Sequence, residues 1–213
     1  MTDIEMPGRI ARLRRDKVGR PVPWFVADVD GVPDFRLVKP GAVGLAVTAK
    51  SCWICGTLFA RQEPRAFVIG PMCAVNLVSA EPPSHAECAT YSARACPFLS
   101  TPNMTRRDRH LPADAADPPG HMIKRNPGVT AVWVCKYNRA FTVQRMPDGL
   151  LFNIGRPMFV EWWARGRRAT RAEVMASIDS GMPELTDIAQ HESGGLNQLN
   201  TQYRAALALI PHA

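Results

Sequence analysis

The chain has 213 residues, of which 46% are hydrophobic and 21% charged, a length and composition that support one medium globular domain or two small ones without disulfide staples. No apolar run approaches the roughly 18–20 residues of a membrane helix, and the polar, basic start lacks the apolar segment of an export signal, so a cytoplasmic protein with no membrane partner is expected. A formal charge of +7 favours contact with polyanions such as DNA or RNA, and 19 prolines predict a loop-rich chain.

Residues 1–20 carry Arg9, Arg12, Arg14, Arg15, Lys17 and Arg20 among few apolar residues and read as a basic N-terminal arm, solvated or helical only in part. Residues 21–100 form the next unit. It opens with two apolar runs, 24–29 and 35–38, on either side of Asp30-Gly31, a dipeptide suited to the positive dihedrals of a tight hairpin turn. Asp28, Asp30 and Asp34 cluster there, and turn formation explains them more simply than catalysis. The Ala/Val/Leu-rich stretch 40–50 reads as a short helix leading into a cysteine-rich segment. Residues 101–128 are rich in Pro, Asp and Arg and read as a linker or long surface loop.

Residues 129–213 read as a β-meander followed by helices. The runs 129–135, 140–145, 150–154 and 158–163 have strand composition, and Asp148-Gly149 marks a hairpin turn. Thr170 and Glu173 have capping-box spacing, predicting a helix that runs to about Ser180 and stops at Gly181. Pro183 opens a second helix that ends at Ser193-Gly194-Gly195. Leu196, Leu199, Tyr203, Ala206, Leu207 and Ile210 then form one stripe of a last helix, suited to core packing or to a dimer surface. The expected fold class is therefore α+β, and the 129–213 region can pack with 21–100 as one domain.

The chemistry concentrates in cysteine. Six cysteines without an export signal suggest metal ligation over disulfides. Cys52-Trp53-Ile54-Cys55-Gly56 has the form of a zinc knuckle: two thiolates separated by two residues turn inward on one ion, and Gly56 relaxes the turn. Further on, Ser84-His85-Ala86-Glu87-Cys88 has capping-box spacing between Ser84 and Glu87, which would place His85 and Cys88 on one face of a helix's first turn. Cys52, Cys55, His85 and Cys88 are thus the expected ligands of one Zn2+, with Cys73 a reserve; Cys96 and Cys135 fit packing better. His110, His121, His191 and His212 are isolated and lack ligand spacing.

Residues 67–75 can supply a hairpin turning at Gly70-Pro71. Knuckle, hairpin and helix-borne second pair make about fifty residues resemble treble-clef zinc fingers, a superfamily that implies a metal and a ligand set without implying an activity. Pro23-Trp24-Phe25-Val26, the knuckle itself, Ile69-Gly70-Pro71-Met72-Cys73 and Trp162-Trp163-Ala164-Arg165-Gly166-Arg167 resemble uncharacterised phage and bacterial mobile-element proteins, which implies an accessory role near DNA, RNA or a host protein.

Three functional classes follow. Dispersed basic clusters, namely the N-terminal arm, Arg106-Arg107-Asp108-Arg109-His110, Lys124-Arg125 and Arg165-Gly166-Arg167-Arg168 beside two tryptophans, suit non-specific nucleic-acid binding, with Arg165, Arg167 and Arg168 the first candidates. Trp162-Trp163 and the last helix suit a protein–protein module, including one that binds a host factor. A zinc nucleobase deaminase would use a His-x-Glu element with a Cys-x-x-Cys pair. Here their order is reversed, and Cys88 would take the position a catalytic water needs. No other catalytic motif is present, and no catalytic residue is assigned.

Overall fold

The computed structural model describes residues 4–102, 104, 105, 109, 111 and 128–212. Most of the Pro-rich passage, with Arg106, Arg107, His110, His121 and the Lys124-Arg125 cluster, lies outside the described residues. The fold mixes helices with small antiparallel sheets, and among the described residues no helix is long and apolar enough to cross a membrane.

A single turn, α1 (Gly8–Ala11), precedes a hairpin of β1 (Val26–Val29) and β2 (Val32–Val38). Asp30 and Gly31 turn this hairpin at φ values of 50° and 77°, the left-handed pair that matches strand twist. Helix α2 (Ala42–Thr48) follows. The expected turn at Gly70-Pro71 does not form: β3 (Arg65–Ile69) leads directly into α3 (Pro71–Asn76), with proline in the first helical turn where its missing N–H costs nothing. β3 pairs with a distant strand instead of its sequence neighbour, and the short β4 (Val78–Ser79) joins another sheet. Helices α4 (Ala86–Ala95) and α5 (Pro97–Ser100) complete this half.

The expected meander strands exist as β5 (Thr130–Cys135), β6 (Phe141–Met146), β7 (Gly149–Ile154) and β8 (Pro157–Ala164), with a short β9 (Arg167–Arg168), but they divide between two sheets. One has the order β3-β5-β8-β9 and the other β4-β7-β6. Met146 pairs with Gly149, so Pro147 and Asp148 make the turn and Gly149 begins the strand. The two expected helices over 171–193 are one, α6 (Arg171–Gln190), which continues through Gly181 and Pro183. Helix α7 (Gly195–Leu207) closes the chain.

β5 is the centre, and all six of its residues are buried. Its alternation sorts two cores. Ala131, Trp133 and Cys135 face the larger one, with Phe67, Ile69, Met72, Phe152 and the inner faces of α6 and α7. Val132 and Val134 face a smaller one with Ala66, Trp163 and Ala89 and Ala93 of α4. The sheet is therefore covered by α4 on one side and by α3, α6, α7 and the second sheet on the other. Leu199, Ala206 and Ile210 belong to the larger core, with Tyr203 and Leu207 partly buried against it, so the C-terminal stripe packs inward except for the exposed Leu196.

Candidate metal centre

The first candidate ligand pair, Cys52 and Cys55, sits in a loop closed by its backbone. Ser51 pairs with Leu58, the Cys52 amide donates to the Thr57 carbonyl and the Gly56 amide to the Cys52 carbonyl, both at 2.9 Å. Gly56 takes φ 74°, a conformation costly for any residue with a Cβ. The turn aims the Cys55 amide at the Cys52 sulfur, 3.4 Å away.

The second pair is delivered by the sheet. Ser84 makes reciprocal backbone hydrogen bonds with Ala66 on the edge of β3, at 2.7 and 2.8 Å, and the Trp53 amide donates to the Pro83 carbonyl at 3.0 Å. The expected capping box does not form. His85, not Ser84, is the N-cap of α4, in extended conformation and without a side-chain cap bond. Ser84 is committed to the bridge with Ala66, and the Glu87 carboxylate turns outward to Arg9, 2.9 Å away. His85 and Cys88 are nevertheless one turn apart on the inward face.

Candidate ligand atoms of Cys52, Cys55, His85 and Cys88 all lie within 4.8 Å of one another, and all four residues are buried. Zn–S bonds of about 2.3 Å and Zn–N bonds near 2.0 Å would set such atoms roughly 3.5–3.8 Å apart in a tetrahedron. The cluster is thus geometrically compatible with one metal ion. The His85 Nδ1 lies 3.3 Å from the Cys55 sulfur and 3.9 Å from that of Cys88, while the His85 amide reaches the Cys52 sulfur at 3.3 Å.

Its electrostatics have the same tendency. Hydrogen bonds from the Cys52 and Cys88 thiols, then from His85 and Thr57, hold the Cys55 thiol far below its ordinary range despite burial. Burial alone would lower the His85 pKa, yet the facing sulfurs of Cys52 and Cys55 outweigh it and raise it to about 9. A thiolate beside an imidazolium is the proton-filled counterpart of a cation site, since these donors favour positive charge among them.

A surrounding shell was not visible in sequence. Glu63 Oε2 stands 3.5 Å from His85 Nε2, a buried atom with no hydrogen-bond partner. Arg9 Nη1 reaches Glu63 at 3.2 Å and Glu87 at 2.9 Å. The centre of the Phe59 ring lies 4.7 Å from that of the imidazole, and the Arg65 guanidinium sits 3.7 Å from the Phe59 ring centre. The stretch expected as a solvated arm is anchored here: Ile10 is 1% exposed and packs with Cys52, Ile54, Cys55 and Cys88. Only the spacing of Ile10 and Leu13 within a basic run could have signalled this.

Other candidates are placed elsewhere. Cys73 lies half-buried on α3 and Cys96 at the C-cap of α4, while the buried Cys135 directs its sulfur toward the Gly155 carbonyl, 3.3 Å away. Asp28 pairs with Arg14, and Asp34 with Arg36. Arg165, Arg167 and Arg168 are exposed around the β8–β9 turn, but Arg167 makes a two-pronged ion pair with Glu173 at 2.7 and 2.9 Å. Arg168 pairs with Glu161 and stacks 4.2 Å from the Trp163 ring centre. Both tryptophans are buried, on opposite faces of β8.

Fold and site together define an α+β protein with a buried Cys3His cluster clasped between a knuckle and a helix start. Compared with protein-family models, curated proteins and solved structures, the chain finds no match.

Proposed function

We propose that the protein is a zinc-braced binding module that contacts nucleic acid without base preference. The observation that carries the metal half is the buried Cys52, Cys55, His85 and Cys88 cluster. Three thiolates and an imidazole suit Zn2+, and four protein ligands leave no tetrahedral position for a reactive water. That closed set, with Glu87 engaged by Arg9, favours a structural ion over the deaminase reading. The nucleic-acid half draws on the charge of +7 and the exposed Arg165 at the tip of the β8–β9 turn, held at φ 52°. Arg167 and Arg168 would have to exchange or share their glutamates to meet phosphate. The segments resembling phage and mobile-element proteins make such an accessory role a coherent setting.

Protein purified without chelator is expected to contain about one equivalent of zinc. Its binding to DNA and RNA should fall steeply with salt, and the triple change of Arg165, Arg167 and Arg168 to Glu should weaken every sequence by a similar factor. Less than half an equivalent of metal overturns the first half; indifference to nucleic acid at low salt overturns the second.

A protein–protein module is the second reading. It is favoured by Met158 and Phe159, 59% and 49% exposed, on a stretch of β8 whose outer edge has no strand partner among the described residues. Specific capture of one protein partner, abolished by Met158→Glu, would support it.

A further inference from the structure

We infer that His85 binds the metal through Nδ1, and that Glu63 is the positioning residue that accepts a hydrogen bond from Nε2–H, with Arg9 holding Glu63 in place; this rests on the zinc reading above. The ring faces the sulfurs with its Nδ1 edge, 3.3 Å from Cys55 and 3.9 Å from Cys88. Nε2 points away from them. Ligation at Nδ1 leaves Nε2 as a protonated donor, and that atom is buried without a hydrogen bond. An unmet donor there is costly, so the site needs an acceptor.

Glu63 Oε2 is the nearest carboxylate oxygen to Nε2, at 3.5 Å, and a small closure converts that separation into a hydrogen bond. The carboxylate is already aimed. Its Oε2 accepts the Ala60 amide at 2.8 Å and its Oε1 receives Arg9 at 3.2 Å. Phe59 lies tilted at 59° against the imidazole, which opposes the ring flip that would exchange the two nitrogens. Charge supports the arrangement: three thiolates around a divalent ion leave the centre negative, and a further carboxylate beside it needs a cation. Arg9 supplies one and spans Glu63 and Glu87, so the N-terminal segment belongs to the mounting of the ligand. Carboxylates placed behind a ligating histidine fix its tautomer and raise its basicity.

The test uses the full chain loaded with zinc and labelled with 15N at histidine. Long-range proton–nitrogen correlation should show His85 protonated at Nε2 and metal-bound at Nδ1; the opposite tautomer overturns the inference. In chelator competition, Glu63→Ala should weaken zinc by on the order of ten- to hundredfold, and Glu63→Gln, whose amide oxygen still accepts a hydrogen bond from Nε2–H, should recover part of the loss. With Co2+ in place of zinc, the visible bands of all variants should match the parent, showing an unchanged ligand set. Affinity of Glu63→Ala within twofold of the parent overturns the proposal. Should Glu63→Ala fail to fold, Arg9→Ala and the tautomer of the unaltered protein still decide it. Absence of any bound metal overturns the zinc reading itself, an outcome distinct from a metal held through Nε2.

Discussion

Gly56 occupies φ 74°, and a Cβ built there would fall 2.6 Å from the Trp24 side chain. Gly56→Ala therefore meets both backbone strain and overlap, and is expected to lower stability by about 2 kcal/mol or more, read from the urea midpoint of zinc-loaded protein. The cysteines separate in a similar way. Cys88→Ser should abolish stoichiometric zinc, whereas Cys135→Ser, in the larger core and not the one around the cluster, should keep zinc and cost about 1–2 kcal/mol through burial of a hydroxyl; equal metal content in the two variants would refute the ligand assignment. At this scale the sequence was informative where chemistry is local: Cys52-x-x-Cys55 and His85-x-x-Cys88 are short-range spacings. Glu63 and Arg9 were invisible because their meaning comes from segments 54 residues apart brought together by folding.

Helix α6 shows why local punctuation misread an element. Gly181 and Pro183 are a reasonable stop and start in isolation, but Leu185 and Ala189 must continue the buried face begun by Val174 and Ile178, and that burial outweighs the cost of an interior proline, about 3 kcal/mol. Gly181 has a packing reason as well, since a Cβ there would lie 2.3 Å from the Met72 sulfur. Gly181→Ala would ordinarily gain about 1 kcal/mol in a helix; against a buried Met72 we expect net destabilisation by about 1 kcal/mol from overpacking. In a Met72→Ala background the same change should become stabilising, and a double-mutant cycle of denaturation midpoints checks the reversal. The start of α6 was legible because a capping box is a local device: Thr170 and Glu173 make it as expected. Hydrogen bonds from Arg167, then from the Thr170 backbone, hold the Glu173 carboxyl near 2, below its ordinary 4.5. A folded-state pKa below the unfolded one stabilises above the unfolded value and loses that contribution as pH falls through the folded one. The stability difference between the parent and Glu173→Gln should therefore be full above about pH 4.5 and shrink toward pH 2. Taking the difference at each pH removes the common effect of acid on the metal site.

For the whole molecule, the decisive feature is that the Cys3His cluster is built onto the sheet. Its expected hairpin would have made it a self-contained finger; instead β3 pairs with β5, across more than sixty intervening residues of sequence, a pairing that no local pattern announces. Ser84 hydrogen-bonds to β3 immediately before His85, and Cys88 is followed by Ala89 and Ala93, which cover Val132, Val134 and Trp163. Removing zinc should release the start of α4 and loosen this one face of the sheet. The other face is held independently by Trp133, Phe152, Ile178 and their neighbours. Chelation should therefore accelerate amide exchange in 8–13, 51–59 and 84–95 and expose Trp163 to solvent, while 171–190 and 195–207 remain the slowest to exchange. A uniform rise over the whole chain would mean that the two faces unfold as a single cooperative unit, and unchanged exchange over 84–95 would mean that the cluster does not brace α4.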